Sequence, residues 1–385
     1  MLESPLALAA VIAAVTALAF WLDQRYRWAS TVGASLLAIV LGALLSNLGL
    51  VPADSPVYGT VTGPVTSLAI VWLLLGVHVG DLRRAGPRML GAFGLALLGT
   101  AVGTAVGTVA FSALFGEDAW RLAGAFMGTY SGGSLNFVAV GRGLELPEAL
   151  FAGAAAADNL TTGLWLGACL LAPSLLGRWY PDPPDRAPDE TGEAGGGGDP
   201  SEEPAHPFFD AAPVSVLRLA VLFGLGLAVL LAARAAHGLV SGVPEVLWLT
   251  TFALVLGHLR PFARMDGALQ LGNYALHLFF VVIGVYSRLG EILAVGIAVF
   301  WFTLTVVGVH GLVVFGLGRA AKLDLGTLAV ASQASVGGPS TALAVAVSRE
   351  WPVLVLPGVA VGLLGYAAGN YLGFAVGHLA RAVGL

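Results

Sequence analysis

The chain has little charge for its length. Of 385 residues, 11% are Asp, Glu, Lys or Arg and 57% are hydrophobic. A soluble domain carries roughly 25% charged residues, so a water-soluble fold is excluded, in line with a mean hydropathy of +0.86. Cysteine is almost missing. Cys169 stands alone in a hydrophobic segment, so no disulfide framework exists and the redox compartment is left unmarked. The sequence has no Cys-x-x-Cys, no His-Glu-x-x-His and no phosphate loop ending in Gly-Lys-Ser/Thr, which leaves no sign of an enzyme or an ATP-driven pump. Gly128-Thr-Tyr-Ser-Gly has the wrong spacing for a Gly-x-Ser-x-Gly elbow and follows no strand. Basic clusters are lacking too, because the arginines are scattered over short loops, and a nucleic-acid partner is excluded. The first twenty residues lack the basic start and small-residue exit of a signal peptide and read as a retained membrane helix.

What is present is a series of long apolar segments separated by short polar loops, the pattern of a polytopic helical protein in a lipid bilayer rather than a barrel. Candidate spans are 5–21, 30–50, 62–80, 89–115, 120–143, 148–175, 213–239, 244–259, 268–288, 290–317, 323–349 and 353–380, with 244–259 the shortest. The 53 glycines suit close helix packing. Trp21, Trp28, Trp179 and Trp351 sit near span ends as interfacial anchors. Nine acidic residues and one arginine fall in 181–210, a net of −8, which leaves the rest of the chain at +3. Composition therefore divides the chain into an N-terminal membrane half (1–176), an acidic Pro/Gly-rich linker (177–212) and a C-terminal membrane half (213–385).

The halves match each other. Gly132-Gly133 followed by Ser-Leu-Asn corresponds to Gly337-Gly338 followed by Pro-Ser-Thr, 205 residues later. Leu-Leu-Leu-Gly76 corresponds to Val-Val-Ile-Gly284, 208 residues later. Two matches in one register indicate a duplication. Arginines follow odd-numbered spans in the first half and even-numbered spans in the second. Positive residues mark the cytoplasmic side, so the halves are expected to be inverted repeats. Twelve crossings would make them parallel. One span near the middle, 213–239 or 244–259, is therefore expected to be miscounted, and eleven or thirteen crossings would restore inversion.

The polar stretches 128–136 and 331–341 interrupt hydrophobic segments at corresponding places. Membranes tolerate broken backbone only where it is buried in protein or lines a polar cavity, and a matched pair of breaks points to a transporter's binding site. Freed amide groups at half-helix N-termini attract an anion. This marks Ser131, Gly132, Gly133, Ser134 and Asn136, with Gly337, Gly338, Ser340 and Thr341, as substrate-binding candidates. Asp158 is the one carboxylate well inside an apolar segment, and it needs a cation, a proton or a hydrogen-bonded partner. Asp158, Asn159, Thr129, Gln333 and Ser335 are the candidate ligands of a coupling ion, Na⁺ or H⁺, since hard oxygen donors do not suit transition metals. The bland alternatives are tight packing through small residues and a structural hydrogen bond for Asp158. His277 and His310 read as packing histidines rather than ligands, although either could relay protons.

On Gly128–Phe137, Ala156–Leu160, Ala331–Ala342 and Pro357–Tyr366 the chain resembles the YjcL-like membrane family, domain of unknown function 819. That family is similar to the superfamily of cation/proton antiporters and bile-acid-type sodium symporters. The resemblance implies two inverted repeats, a core with two crossing broken helices, and a panel domain. Asp158-Asn159 departs from the paired aspartates of the electrogenic antiporters. The expected function is ion-coupled secondary transport of a small organic solute, expected to be anionic, by alternating access in the inner (plasma) membrane. A cation/proton antiporter without organic substrate, and a non-transporting scaffold or receptor, are the alternatives. A homodimer is left open.

Overall fold

The computed structural model describes residues 4–26, 28–29, 33–77, 82–181, 215–259, 261–262, 265–286, 289–349 and 351–385. The acidic stretch 182–214, His78, Asp81 and Glu350 lie outside the described residues. Fourteen α-helices are described, and each of the twelve expected segments contains one or two of them. They are α1 Pro5–Arg25, α2 Ala34–Asn47, α3 Pro56–Leu75, α4 Leu82–Phe115, α5 Ala119–Thr129, α6 Ser134–Gly143 and α7 Glu148–Leu176. The second half supplies α8 Val216–Leu239, α9 Glu245–His258, α10 Ala268–Tyr286, α11 Leu289–Ala320, α12 Leu325–Val336, α13 Pro339–Ser348 and α14 Pro352–Ala382. Eight helical stretches are long and apolar enough to cross a membrane, and the chain is a multi-pass membrane protein. Local chemistry sets several starts. Proline opens α1, α3, α13 and α14, where its missing N–H has no helical partner to lose. Asp324 caps α12 by accepting from the Thr327 amide at 2.7 Å. In α3 a π-helical turn at Val61–Val65 accommodates Pro64, and the Thr66 hydroxyl donates to the Val61 carbonyl at 2.8 Å.

The two interrupted segments do not continue across the protein. Arg121 Nε, at the start of α5, donates to the Leu144 carbonyl just past α6 at 3.0 Å. Gly124 packs on Leu144 and Gly128 on Val140, so α5 and α6 lie antiparallel as a hairpin whose tip is 130–133. In the second half the Thr341 hydroxyl reaches the Gln333 carbonyl at 3.3 Å. Val330 of α12 and Ala342 of α13 meet at Gly358, so α12 and α13 form a matching hairpin with its tip at 337–338. This corrects the expectation of two broken helices that cross. The miscounted span expected at 213–239 or 244–259 is not found, since both are helical (α8 and α9); the two segments that do not run straight through are the hairpins.

Contacts along the other helices give their directions. In α4 and α11, Gly99 faces His310, Gly103 faces Val306 and Gly107 faces Phe302, so the two run antiparallel. Ser35 pairs with His277 and Gly42 with Val281 and Val285, so α2 and α10 run parallel. Tyr58 meets Tyr286 and Gly272 meets Leu73, so α3 opposes α10. Gly153 lies against Gly296 and Thr161 against Thr303, so α7 runs with α11. Partnerships are reciprocal between the halves. α2 packs on α10 as α9 packs on α3, α7 on α11 as α14 on α4, and α5 on α14 as α12 on α7. Helices α1–α3 and α8–α10 thus form one group and α4–α7 with α11–α14 another, in sparser contact with the first. Taking the face at which α1 ends as upper, the α5–α6 hairpin enters from the lower face and the α12–α13 hairpin from the upper.

Candidate functional site

The hairpin tips meet. Gly133 (φ 115°) packs on Gly337 and Gly338, and Gly338 (φ 87°) packs on Gly132. A side chain at Gly133 or Gly338 would be strained by its positive φ. A methyl on Gly132 would overlap the Gly365 backbone of α14, while one on Gly338 would crowd the Gly132 carbonyl. Glycine is therefore demanded by close approach of three backbones.

The first tip is tied to α12 of the other hairpin and to α4, α7 and α11. The Tyr130 carbonyl accepts from Ser335 Oγ at 2.5 Å and from Thr100 Oγ1 at 2.7 Å. Thr100 Oγ1 in turn contacts His310 Nδ1 at 3.0 Å, His310 Nε2 contacts Ser332 Oγ at 2.8 Å, and Trp165 Nε1 donates to Ser332 Oγ at 2.9 Å. Both ends of this chain have fixed roles, because an indole N–H only donates and a carbonyl only accepts. Ser332 therefore donates to His310 Nε2, and Nδ1–H donates to Thr100. His310 is a satisfied neutral imidazole, held as a positioning group for the first tip.

Asp158, 2% exposed, lies on α7 beside the first tip. Its Oδ2 accepts from Ser134 Oγ at 3.0 Å and from Thr129 Oγ1 at 3.4 Å, and its Oδ1 has no partner. The Tyr130 hydroxyl, also buried without a hydrogen bond, lies near Asp158, Thr161 and Thr303. A buried carboxylate with one oxygen bare is costly unless a proton or cation joins it.

Above the tips is a cleft of about 300 Å³ between the two helix groups. Ser134, Leu135, Asn159, Thr162, Gly337, Ser340, Thr341 and Tyr366 line one wall, and Asp23, Ser35, Leu73, Asn273, Leu276, His277 and Phe280 the other. α6 and α13 both begin at the lining of this cleft; α6 runs down from its tip, so its N-terminus is aimed at the cleft, whereas α13 runs upward and opens with Pro339, which has no amide hydrogen. Below the tips a second cleft of about 230 Å³ separates the same groups, lined by Thr62, Arg142, Glu145, Leu146, Glu148, Phe151, Phe279 and Ile283. Between the clefts stand Phe151, Phe279 and Phe280, with successive ring centroids 5.4 and 5.7 Å apart.

The candidates read from sequence divide between these places. Asp158, Thr129 and Ser134 come together. Asn159 instead turns to the upper cleft, its Nδ2 donating to the Ala155 carbonyl. Gln333 is fully buried, both amide atoms lack partners, and its Nε2 lies beside Gly337 with Thr162 and Thr341. Ser335 is committed to the Tyr130 carbonyl. Gly337, Ser340 and Thr341 line the upper cleft, whereas Ser131 donates back to the Met127 carbonyl and Asn136 to the Gly365 carbonyl. Sequence reasoning missed Asp23, Ser35 and Asn273. Asp23 lies just past the expected first span, 5–21, and nothing local signals that α2 and α10 set Ser35 and Asn273 at the same cleft. His277 is satisfied, donating from Nδ1 to the Asn273 carbonyl and accepting from Ser35, yet it also lines the cleft.

Among known proteins, the chain is 29% identical over 382 residues to the uncharacterized membrane protein YjcL of Bacillus subtilis (strain 168), an alignment covering 95% of this chain and 94% of the relative. A family model described as a protein of unknown function (DUF819) matches residues 10–383. The hairpins, the clefts and the buried carboxylate all fall within that match, and the chain belongs to the DUF819 family.

Proposed function

We propose that the protein is an ion-coupled secondary transporter of a small organic solute that presents an anionic group, built from two inverted repeats and working by alternating access. The observation that carries this reading is the meeting of two opposed hairpin tips beside the half-satisfied Asp158, with one cleft above and one below. A membrane protein tolerates such irregular backbone at depth where it lines a site. The reciprocal helix partnerships and the antiparallel α4 and α11 support inversion. With hairpins that return to their own face, each half makes five passes, and an odd number inverts the second half.

Charge supports an orientation. Among the described residues Arg25, Arg88, Arg178, Arg218, Arg319, Lys322 and Arg349 lie toward the upper face, against Arg121, Arg142, Arg234 and Arg381 toward the lower. In sequence, the stretches at upper helix ends add Arg27, Arg83, Arg84, Arg186, Arg260 and Arg264, and those at lower ends add Arg288. The upper face is then cytoplasmic in a plasma membrane.

In this mechanism Na⁺ or H⁺ joins Asp158 from the Tyr130 side, with the Thr129 and Ser134 hydroxyls holding the other carboxylate oxygen. The α6 N-terminus, with Ser340 and Thr341 at the start of α13, receives the anionic group of the substrate, and the hairpin group shifts against the α1–α3 and α8–α10 group to change the open cleft. The bare Asp158 Oδ1 also suits the second reading, cation/proton antiport without an organic substrate. The test is gradient-driven flux in proteoliposomes. Asp158→Asn is expected to abolish coupling to Na⁺ or pH gradients, and unchanged coupled flux would remove Asp158 from the mechanism. Proton flux with no organic anion added decides for the antiporter.

A further inference from the structure

Arg142 closes α6 at the lower face, about 12 Å by helix rise from Ser134 at the other end. It lines the lower cleft, its Nη1 is buried without a partner, and its guanidinium carbon stands 5.6 Å from the centroid of Phe279, another wall of the cleft. Among the described residues no carboxylate comes within ion-pair distance of it. A buried guanidinium donor left unmade is expensive, and its planar fork matches a carboxylate held by two hydrogen bonds.

We propose that the lower cleft is a second binding site, for a small solute bearing one carboxylate and one ammonium group. The lining carries Arg142 against Glu145 and Glu148, a formal charge of −1. A simple anion on Arg142 would face two carboxylates with nothing to offset them, and a dianion fares worse. A zwitterion places its carboxylate on Arg142 and its ammonium toward the glutamates. The upper cleft shows the same balance by other means. No Lys or Arg lines it, the α6 N-terminus lies at one wall, with the unpartnered Gln333 amide buried behind Gly337, and Asp23, its one lining carboxylate, stands at the other. The cleft volume, about 230 Å³, is below the ~300–1,000 Å³ typical of drug-sized ligands and suits a small amino acid.

The substrate class rests on the transporter reading, but the second site does not, since it is judged by binding and not by flux. The experiment is equilibrium dialysis of radiolabelled L-alanine against the purified full-length protein. Two alanines are expected per wild-type chain and one per Arg142→Gln chain, with Arg142→Lys retaining the second at an affinity lowered on the order of 30-fold. Glycine and L-serine should compete, while acetate, succinate and ethylamine at matched ionic strength should not. Equal stoichiometry in wild type and Arg142→Gln, no binding to wild type, or competition by acetate equal to that of glycine overturns the proposal. Loss of flux with two alanines still bound would instead count against the transport reading alone.

Discussion

The reversal of the chain at the hairpin tips is open to a direct test. α5 has 11 residues, a length of about 16 Å at ~1.5 Å per residue, roughly half of the ~30 Å hydrocarbon core. A helix entering at the lower face therefore reaches the midplane at Tyr130, and α6 returns over the same distance. Positions 117 and 145, at the two feet of this hairpin, should lie on one side of the membrane. Positions 322 and 348, at the feet of the other, should lie on the opposite side. All four are exposed, and the one native cysteine, Cys169, is fully buried and gives no background. Single-cysteine variants at Glu117, Glu145, Lys322 and Ser348 are to be treated in intact cells with a membrane-impermeant maleimide. Glu117→Cys and Glu145→Cys should label in intact cells, Lys322→Cys and Ser348→Cys only after permeabilisation. If Glu117→Cys and Glu145→Cys label from opposite sides, the segment passes straight through and the hairpin is wrong.

Three further outcomes follow from the geometry. Asp158→Asn should raise the thermal midpoint in ion-free buffer by removing a buried carboxylate with a bare oxygen. It should also erase ion-dependent stabilisation, which is about 2.7 kcal/mol for an ion at a hundred times its Kd; a variant as responsive to NaCl as wild type contradicts the assignment. Gly338→Ala should cost roughly 1–2 kcal/mol for its positive φ and more for the Cβ placed 2.6 Å from the Gly132 carbonyl oxygen, whereas Gly116→Ala, at φ 54° in open space, should cost the φ component alone. Equal losses in denaturation midpoint would show that the tips do not touch. Thr100→Val strips a donor from the Tyr130 carbonyl and the acceptor from His310 Nδ1, so it should destabilise by about 1–3 kcal/mol, and a change below 0.5 kcal/mol (roughly the surface-substitution range) would show the His310 chain to be idle.

Much of the architecture could be read before any coordinates, because a bilayer leaves few choices. Apolar length located the helices, and the glycine pairs at 132–133 and 337–338 located both breaks. A run such as Gly128–Asn136 signals interrupted backbone equally well for a through-helix and for a hairpin, so the direction after the break was not legible. The arginine bias bears on that direction, since an odd number of passes per half is what it favours and what two hairpins would give. It was assigned to the wrong segment because 244–259 is short, whereas the hairpins together look as long as a span.

For the site, sequence determined that Asp158 must find a partner, since a carboxylate in an apolar segment cannot stay unpaired, and it marked the hydroxyls near both breaks. Tertiary structure alone decided how they are used. Ser134 and Thr129 reach Asp158, Asn159 turns away to the cleft, and Ser335 is spent on the Tyr130 carbonyl. The same holds for Asp23, His277 and Arg142, which are unremarkable in their own segments and acquire meaning from the clefts they line. The physical reason is range. Periodicity and local backbone chemistry act over a few residues and write the helices into the chain. Glycine-to-glycine contact between tips 205 residues apart depends on helix groups packing, and no local pattern encodes which surfaces will meet.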